Sequence, residues 1–285
     1  MLEWIVDEER PVRLINFMTR SCPLLPPAKV RQAVKGREVK VNGVRVGENV
    51  LLQPGDRVTA YLVLPAFRPE IVYEDEELLA LFKPAGLPSV GPGSLENLLK
   101  GEDGFPRAVH RLDTDTFGVI LFAKNAPAET ELLQAFSRRT LDKRYRCIVL
   151  GRPKPAAGML AHHALKDAGA ARLRVLDRPA PGSKSIVTGY RTLALSGELA
   201  LLEVELHTGR THQIRAHLAH MGWPILGDDK YGNRAANKRH HLRKPQLCCH
   251  MLTLHFPKGS PLERLDGLTL ASPQTLTPEK LQQKG

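Results

Sequence analysis

Residues 110–124 read HRLDTDTFGVILFAK. A polar cluster, His110 to Asp115, runs straight into the apolar stretch 117–123. An apolar run of that length predicts a strand buried on both faces. A carboxylate just ahead of such a strand, here Asp113, is held rigidly at a sheet edge and stays reachable from outside. The competing reading makes Asp113 a turn residue that accepts backbone hydrogen bonds.

On either side, strand and helix signals mix without a regular alternation. Residues 71–73 and 78–82 are apolar and flank an acidic turn. Pro127 opens a helix to about Arg139, with Leu132, Leu133 and Phe136 facing inward. Residues 145–150 read as a strand, and 200–207 as a half-buried one in which Leu202, Val204 and Leu206 alternate with Glu203 and Glu205. Thr211 is placed to N-cap a helix that ends at Met221, before Gly222, with Ile214 and Leu218 inward. This mixture predicts an α+β fold with a mixed, mainly antiparallel sheet.

A smaller α+β module precedes it. Pro26-Pro27 lead a short helix closed by Gly36, and 39–46 (VKVNGVRV) carries the Asn-Gly hairpin signal between alternating apolar residues. A further strand is expected at 57–64. Between Arg10 and Arg45 there are nine Lys or Arg and one acid, Glu38. Lys29, Arg31, Lys35, Arg37 and Lys40 gather on this helix and hairpin, which favours a phosphate-binding face. The domains expected are 1–64, a linker at 65–69, a second domain at 70–272, and a polar, frayed tail at 273–285.

The 285 residues suffice for two domains. With 42% hydrophobic and 25% charged residues the composition excludes general disorder. The formal net charge of +11 favours a polyanionic partner. Four cysteines, two of them adjacent (Cys248 and Cys249), are no disulfide framework and suit a reducing compartment. The charged residues 1–11 contain no signal peptide, and no apolar run approaches the ~18 residues of a membrane span. A soluble, cytoplasmic protein with no membrane partner is expected.

Two more clusters carry chemistry. In 142–146 (DKRYR) an aromatic stands among cations at the start of a strand, an arrangement that stacks a base while its neighbours meet phosphates. Residues 207–217 read HTGRTHQIRAH. His207, His212, His217 and His220 invite a zinc reading, but His212 and His217 lie about 140° apart on a helix, and no metal-binding pattern is present. Anion binding fits better: Gly209 frees the backbone at a helix start, and Arg210 and Arg215 reach a phosphate or carboxylate. Gly91-Pro92-Gly93 lacks a strand–helix frame, and there is no Walker motif or Gly-x-Ser-x-Gly, so nucleotide cofactors and serine catalysis are not indicated.

In this order the pieces resemble the RluA-type RNA pseudouridine synthases. The resemblance rests on 70–88 with its Lys-Pro-x-Gly turn, on His110-Arg111-Leu112-Asp113, on 141–151 around Tyr145, and on 207–232 (HTGRTHQIRAHLAHMGWPILGDDKYG). Residues 11–64 resemble the alpha-L RNA-binding module that often precedes this catalytic domain. The resemblance implies Asp113 as the catalytic aspartate, Tyr145 as the ring packed on the target base, Arg215 as partner of the aspartate, and Arg111 near the place the extruded base leaves. Arg210 and His212 of the long motif are substrate-binding candidates. The implied reaction needs no metal and no cofactor. One ionised carboxylate suffices, which a neighbouring Arg215 favours, with a flipped base under a tyrosine lid. The sequence departs from the family at Thr116-Phe117-Gly118, where Ser is usual in the middle, and at 247–250, where Leu-Cys-Cys-His replaces Leu-His-Ala.

Isomerisation of uridine to pseudouridine in structured RNA is thus the expected function, with large-subunit rRNA favoured over tRNA as partner and a monomer as the default. The alternatives are a catalytically inactive RNA- or ribosome-binding factor, which has no use for an acid beside a polyanion, and a glycosidase-like hydrolase, which needs two carboxylates flanking one bond.

Overall fold

The computed structural model describes residues 1–22, 24–63, 67–167, 169 and 172–282. The chain divides into two compact units, Met1–Arg68 with Val90–Leu98, and Pro69–Ser89 with Leu99–Gly285. The end of the expected strand 57–64, residues 65–66 of the expected linker and 283–285 of the expected tail lie outside the described residues.

In the first unit the elements are β1 (Leu2–Ile5), β2 (Val12–Arg13), α1 (Leu14–Ser21), α2 (Pro27–Lys35), β3 (Val39–Val41), β4 (Val44–Val46), β5 (Leu51–Leu52) and β6 (Arg57–Ala60). A four-stranded sheet runs β1-β6-β3-β4, and β2 pairs with β5. Asn42 and Gly43 both have positive φ, +49° and +83°, as the tight β3–β4 turn requires. Asn42 also bonds the backbone N–H of Arg57 and the carboxylate of Asp56. Val30, Ala33 and Val34 of α2 face the core with Leu14, Phe17 and Met18 of α1. The other face of α2 therefore presents Lys29, Arg31 and Lys35 to solvent. The charged N-terminus holds a strand that the sequence reading does not anticipate: β1 alternates Leu2 and Trp4 inward with Glu3 and Ile5 outward against β6.

The rest of the chain forms β7 (Glu70–Glu74), β8 (Leu78–Lys83), α3 (Leu95–Leu99, most of which groups with the first unit), β9 (Arg107–Ala108), β10 (Phe117–Ala123), α4 (Ala126–Arg138), β11 (Asp142–Leu150), β12 (Ala157–Asp167), β13 (Arg172–Leu176), β14 (Lys184–Ser196), β15 (Leu199–Leu206), α5 (Gln213–His220), α6 (Arg234–Arg239), β16 (Leu247–Thr253), β17 (Thr269–Ala271) and α7 (Pro278–Gln282). One large sheet runs β13-β12-β14-β15-β11-β16-β10-β8-β7, with β9 beside β10 and β17 beside β16. Its pairings are antiparallel except β10 with β16, which are parallel. Both β8 and β10 are buried almost throughout, which explains their continuous apolar sequences. Gly118 lies where β10 meets β16: its φ is +122°, and a Cβ there would lie 2.1 Å from the carbonyl oxygen of Cys249. Only glycine lets these backbones approach so closely. Phe117, in the place of the usual serine, packs edge-on against Phe82 with ring centroids 6.3 Å apart.

Three local expectations need correction. In α4 the buried stripe is Ala128, Leu132 and Ala135, whereas Leu133 is 45% exposed. The helix starts at Ala126, capped by the Asn125 side chain on the N–H of Ala128, and that phase turns Leu133 outward. Thr211 does not cap α5. The N-cap position is His212, in the left-handed region at φ +58° and without a side-chain cap. The buried amide of Gln213 holds the helix start instead: its oxygen accepts from the Thr208 hydroxyl and the Arg210 N–H, and its nitrogen donates to Val187 O and Thr188 Oγ1. Finally, the segment after 273 is not simply polar and frayed. Leu276 is buried with Ile148, Leu199, Leu201 and Cys248, and α7 packs on β14 and β15. Among the described residues no helix is long and apolar enough to cross a membrane.

Candidate active site

Asp113 stands on the turn that feeds β10, and Thr116 N–H closes that turn onto the Asp113 carbonyl. The segment after β8 clamps it. Ser89 Oγ donates to Leu112 O at 2.8 Å and accepts from Leu112 N–H at 3.0 Å. Thr114 O accepts from Gly86 N–H and from Lys83 Nζ. Lys83 is fully buried, and its Nζ also donates to Pro84 O and Leu87 O. Three carbonyl acceptors match the three N–H groups of an ammonium. Burial pulls this amine down to about 7, against the opposing charges of Asp115 and Asp113. Upstream, burial lowers His110 to about 3; its ring stacks on Phe136, and Nε2 accepts the N–H of Leu121, a bond open only to the neutral imidazole.

The second half of the site comes from α5. Arg215 Nη1 donates to Asp113 Oδ2 at 3.2 Å. On its other side Arg215 grips Asp228 in two parallel bonds, Nε to Oδ2 at 2.7 Å and Nη2 to Oδ1 at 2.9 Å. Exposure grades along this chain from 0% at the Asp228 side chain through 6% at Arg215 to 22% at Asp113. The buried end is the anchor and the accessible end is the group that meets substrate. Burial by itself would raise the Asp228 carboxyl; Arg215 and the N–H groups of Tyr231 and Lys230 overcome it and hold Asp228 below the ordinary carboxylate range. Asn237 of α6 fixes the backbone here, bonding Gly227 N–H and Asp228 O.

Tyr231 packs its ring against the Arg215 guanidinium, 5.4 Å from the centroid, and its hydroxyl accepts from Leu173 N–H of β13. The same hydroxyl bonds His212 Nδ1 at 3.1 Å, and His212 Nε2 lies 3.9 Å from Asp113 Oδ2. Burial lowers the His212 imidazole, with Arg215 and Lys230 assisting and Asp113 opposing. Tyr145 is 7% exposed in the middle of β11, paired across to Val204 on one side and Cys249 on the other. Burial, with the neighbouring Cys249 and Asp113, raises its hydroxyl well above the usual range. A ring set in a strand bonded on both sides is a fixed wall, which corrects the expected tyrosine lid.

The structure thus brings together Asp113, Tyr145, Arg215 and His212. Arg111 and Arg210 are exposed, and among the described residues neither guanidinium group has a hydrogen bond or ion pair. The four histidines weighed for zinc do not converge: His212 faces Asp113, His217 is buried on Thr188, His220 pairs with Asp177, and His207 lies near Glu205. In the first unit Arg37 is exposed like Lys29, Arg31 and Lys35, and Lys40 lies with Arg45 against the half-exposed ring of Tyr61. Sequence reasoning missed Asp228, Tyr231, Lys83 and Ser89. Both Asp228 and Tyr231 stand inside the quoted GDDKYG run, and Lys83 in the Lys-Pro-x-Gly turn; their signal was an acid or base in an otherwise tight glycine-bounded turn.

A cavity of about 1040 Å³ opens beside this centre, lined among others by Asp229, Arg234, Lys238, Arg239, His241 and Arg243. Asp229 links the two, its Oδ1 3.5 Å from Arg215 Nη2.

Comparison with known proteins agrees with this geometry. The family described as RNA pseudouridylate synthase matches residues 77–220, and the S4 domain matches 12–58, where the alpha-L module is expected. The ribosomal large subunit pseudouridine synthase C of Rickettsia typhi is 32% identical over 263 residues, covering 81% of this chain and 86% of the relative. An uncharacterized RNA pseudouridine synthase of Aquifex aeolicus is 34% identical over 285 residues, 88% of this chain and 86% of the relative. The solved structure of human RNA pseudouridylate synthase domain containing 4 superposes with a TM-score of 0.60 at 24% identity, covering 75% of this chain and 90% of that one, and so shares the fold. With a catalytic-domain match over half its length, an S4 domain before it and relatives matched over more than four fifths of both chains, the chain belongs to the RluA-type family of RNA pseudouridine synthases.

Proposed function

We propose that this enzyme isomerises uridine in large-subunit ribosomal RNA and that Asp113 is the group that acts on the nucleotide. The observation that carries the reading is the graded chain Asp228–Arg215–Asp113, which anchors a carboxylate from behind and leaves it 22% exposed. The relatives named for the ribosomal large subunit and the basic S4 domain support the choice of RNA. In this reading the chain acts as a monomer in the cytoplasm.

The reaction breaks the bond from uracil N1 to ribose C1′ and forms one from C5 to C1′. The C5 proton passes to solvent and N1 gains one. No electron leaves the system, so one carboxylate acting on base or sugar is sufficient. A stacked uridine must first leave its helix at a cost of a few kcal/mol. Arg111, exposed and two residues before Asp113 in the chain, is suited to fill the gap. Tyr145 supplies a flat wall on which the detached uracil turns without escaping.

The test is tritium release from RNA labelled at uracil C5, prepared from cells that lack this protein. Release from rRNA and none from tRNA is expected. Release from tRNA alone overturns the substrate assignment; release from neither, with RNA bound, turns the reading toward a binding factor.

The basic cavity beside Arg215 is the natural path for the RNA backbone. Replacing Lys238 and Arg243 together by Gln is expected to flatten the slope of log affinity against log salt by about 1.5, since each phosphate contact contributes roughly 0.7–0.9. KM rises and kcat stays, because neither side chain belongs to the Asp113 cluster. An unchanged salt slope removes the cavity from the RNA path.

A further inference from the structure

Beyond the isomerase site, we propose that His162, Asp177 and His220 form a binding site for a divalent first-row transition-metal ion of the zinc class. The three residues come from separate places in the chain: His162 from β12, Asp177 from just after β13, and His220 from the end of α5. Their donor atoms all lie within 4.8 Å of one another. Asp177 Oδ1 is 2.7 Å from His220 Nε2 and 3.8 Å from His162 Nε2. Tetrahedral coordination at metal–ligand lengths near 2.0–2.1 Å sets donor atoms about 3.3 Å apart. The observed distances bracket that value, and the Asp177 side chain, 76% exposed, is free to adjust.

A surface ion pair between His220 and Asp177 accounts for one imidazole and leaves the second unexplained. The His162 side chain is only 19% exposed and presents its Nε2 to the same carboxylate oxygen. Its other nitrogen is fixed from behind: Nδ1 is 2.8 Å from His217 Nε2, and His217 Nδ1 is 2.9 Å from Thr188 Oγ1. Binding a cation through His162 Nε2 leaves the proton on Nδ1, where it donates to His217. His217 then donates to Thr188 Oγ1, whose second lone pair takes the N–H of Gln213. Every N–H in the relay then has an acceptor. This outer support, which sets the tautomer and angle of a ligating ring, is the arrangement that metal-bound histidines use.

The ligand set of two imidazoles and one carboxylate suits zinc, nickel or copper better than magnesium or calcium, which take oxygen donors. It leaves a fourth position open to solvent on the exposed side of Asp177. The site is a staple. It ties α5, which carries Arg215, to β12 and to the end of β13, whose Leu173 bonds Tyr231 beside the same arginine. Isomerisation needs no metal, so the role assigned to the ion is to hold these elements together.

The test uses the untagged full chain, stripped with chelator and titrated with zinc chloride by equilibrium dialysis, with cobalt absorption spectra reporting the coordination shell. One zinc per chain, a tetrahedral cobalt spectrum and a zinc-dependent rise in Tm are expected. Asp177→Asn and His162→Gln are each expected to weaken binding by about tenfold or more, the range in which even supporting contacts matter. Asp177 is exposed, so its Asn variant tests the site without risk to the core, and circular dichroism checks both variants. Absence of binding at zinc well above the protein concentration overturns the proposal. So does binding that both variants leave unchanged, which would mean zinc held by other histidines.

Discussion

Replacing Asp113 by Asn abolishes tritium release from C5-labelled RNA, lowering turnover by on the order of 10⁴-fold or more, the scale on which loss of a group that acts directly on substrate registers. Asparagine keeps the size of the side chain and can still accept the Arg215 N–H through its amide oxygen, so the turn closed by Thr116, Ser89 and Lys83 is undisturbed. What disappears is the negative charge and the basic, nucleophilic oxygen. RNA affinity holds or rises, because an anion has been removed beside a polyanion and the flanking cations stay. Single-turnover assays with saturating enzyme separate the two quantities. A variant that still turns over within about a hundredfold of wild type, far short of that scale, would sink the assignment of Asp113 as the acting group.

The legible part of this protein was the part written locally. The buried run 117–123 became β10 with its bounds unchanged, and the Asn-Gly turn became the β3–β4 hairpin, because burial and turn chemistry act on neighbouring residues. Asp113 and Arg215 were found through the motifs that hold them; their 3.2 Å contact spans a separation of 102 residues that no spacing rule encodes. The anchor Asp228 was missed for the same reason. A buried aspartate and an exposed one look alike in sequence, and only the fold shows that its oxygens face a guanidinium. The histidines make the point from the other side. Judged along one helix, His212 and His217 are too badly spaced to share an ion, and that judgement holds for the helix. The grouping of His220 with His162 and Asp177 exists because β12 and β13 are antiparallel neighbours at the sheet edge and α5 packs against β13. The misjudged start of α5 has a similar origin, since a buried Gln213 bonded to β14 does the work that Thr211 was expected to do from next door.

Asp228→Asn carries the largest expected loss of stability. The change removes one partner of a buried pair and leaves the Arg215 guanidinium, 6% exposed, with only the more exposed carboxylates of Asp113 and Asp229 to balance it. Breaking such a pair typically costs about 3–5 kcal/mol, which for a unit of this size lowers Tm by roughly 6–20 °C. The amide also places an N–H₂ where the carboxylate accepted from Arg215 and from the N–H groups of Lys230 and Tyr231, so one of these donors is turned away. The pH dependence identifies the cause. Asp228 is held below the ordinary carboxylate range in the folded state, so its contribution is complete above the unfolded value near 3.9 and is lost as pH falls through the lower folded value. Arg215 stays charged throughout, its own affinity for the proton raised by Asp228 against the opposing effect of burial. The gap in unfolding free energy between wild type and variant is therefore constant from pH 5 upward and closes as the solution is acidified below about pH 4. Urea melts of both proteins at several pH values measure it. A gap under about 1 kcal/mol at neutral pH, the range of an exposed ion pair, contradicts the anchor; a gap that survives acidification assigns the loss to packing instead of charge. If the anchor holds, the surviving folded fraction also turns over slowly at saturating RNA, because a guanidinium freed from Asp228 no longer fixes the direction from which it meets Asp113.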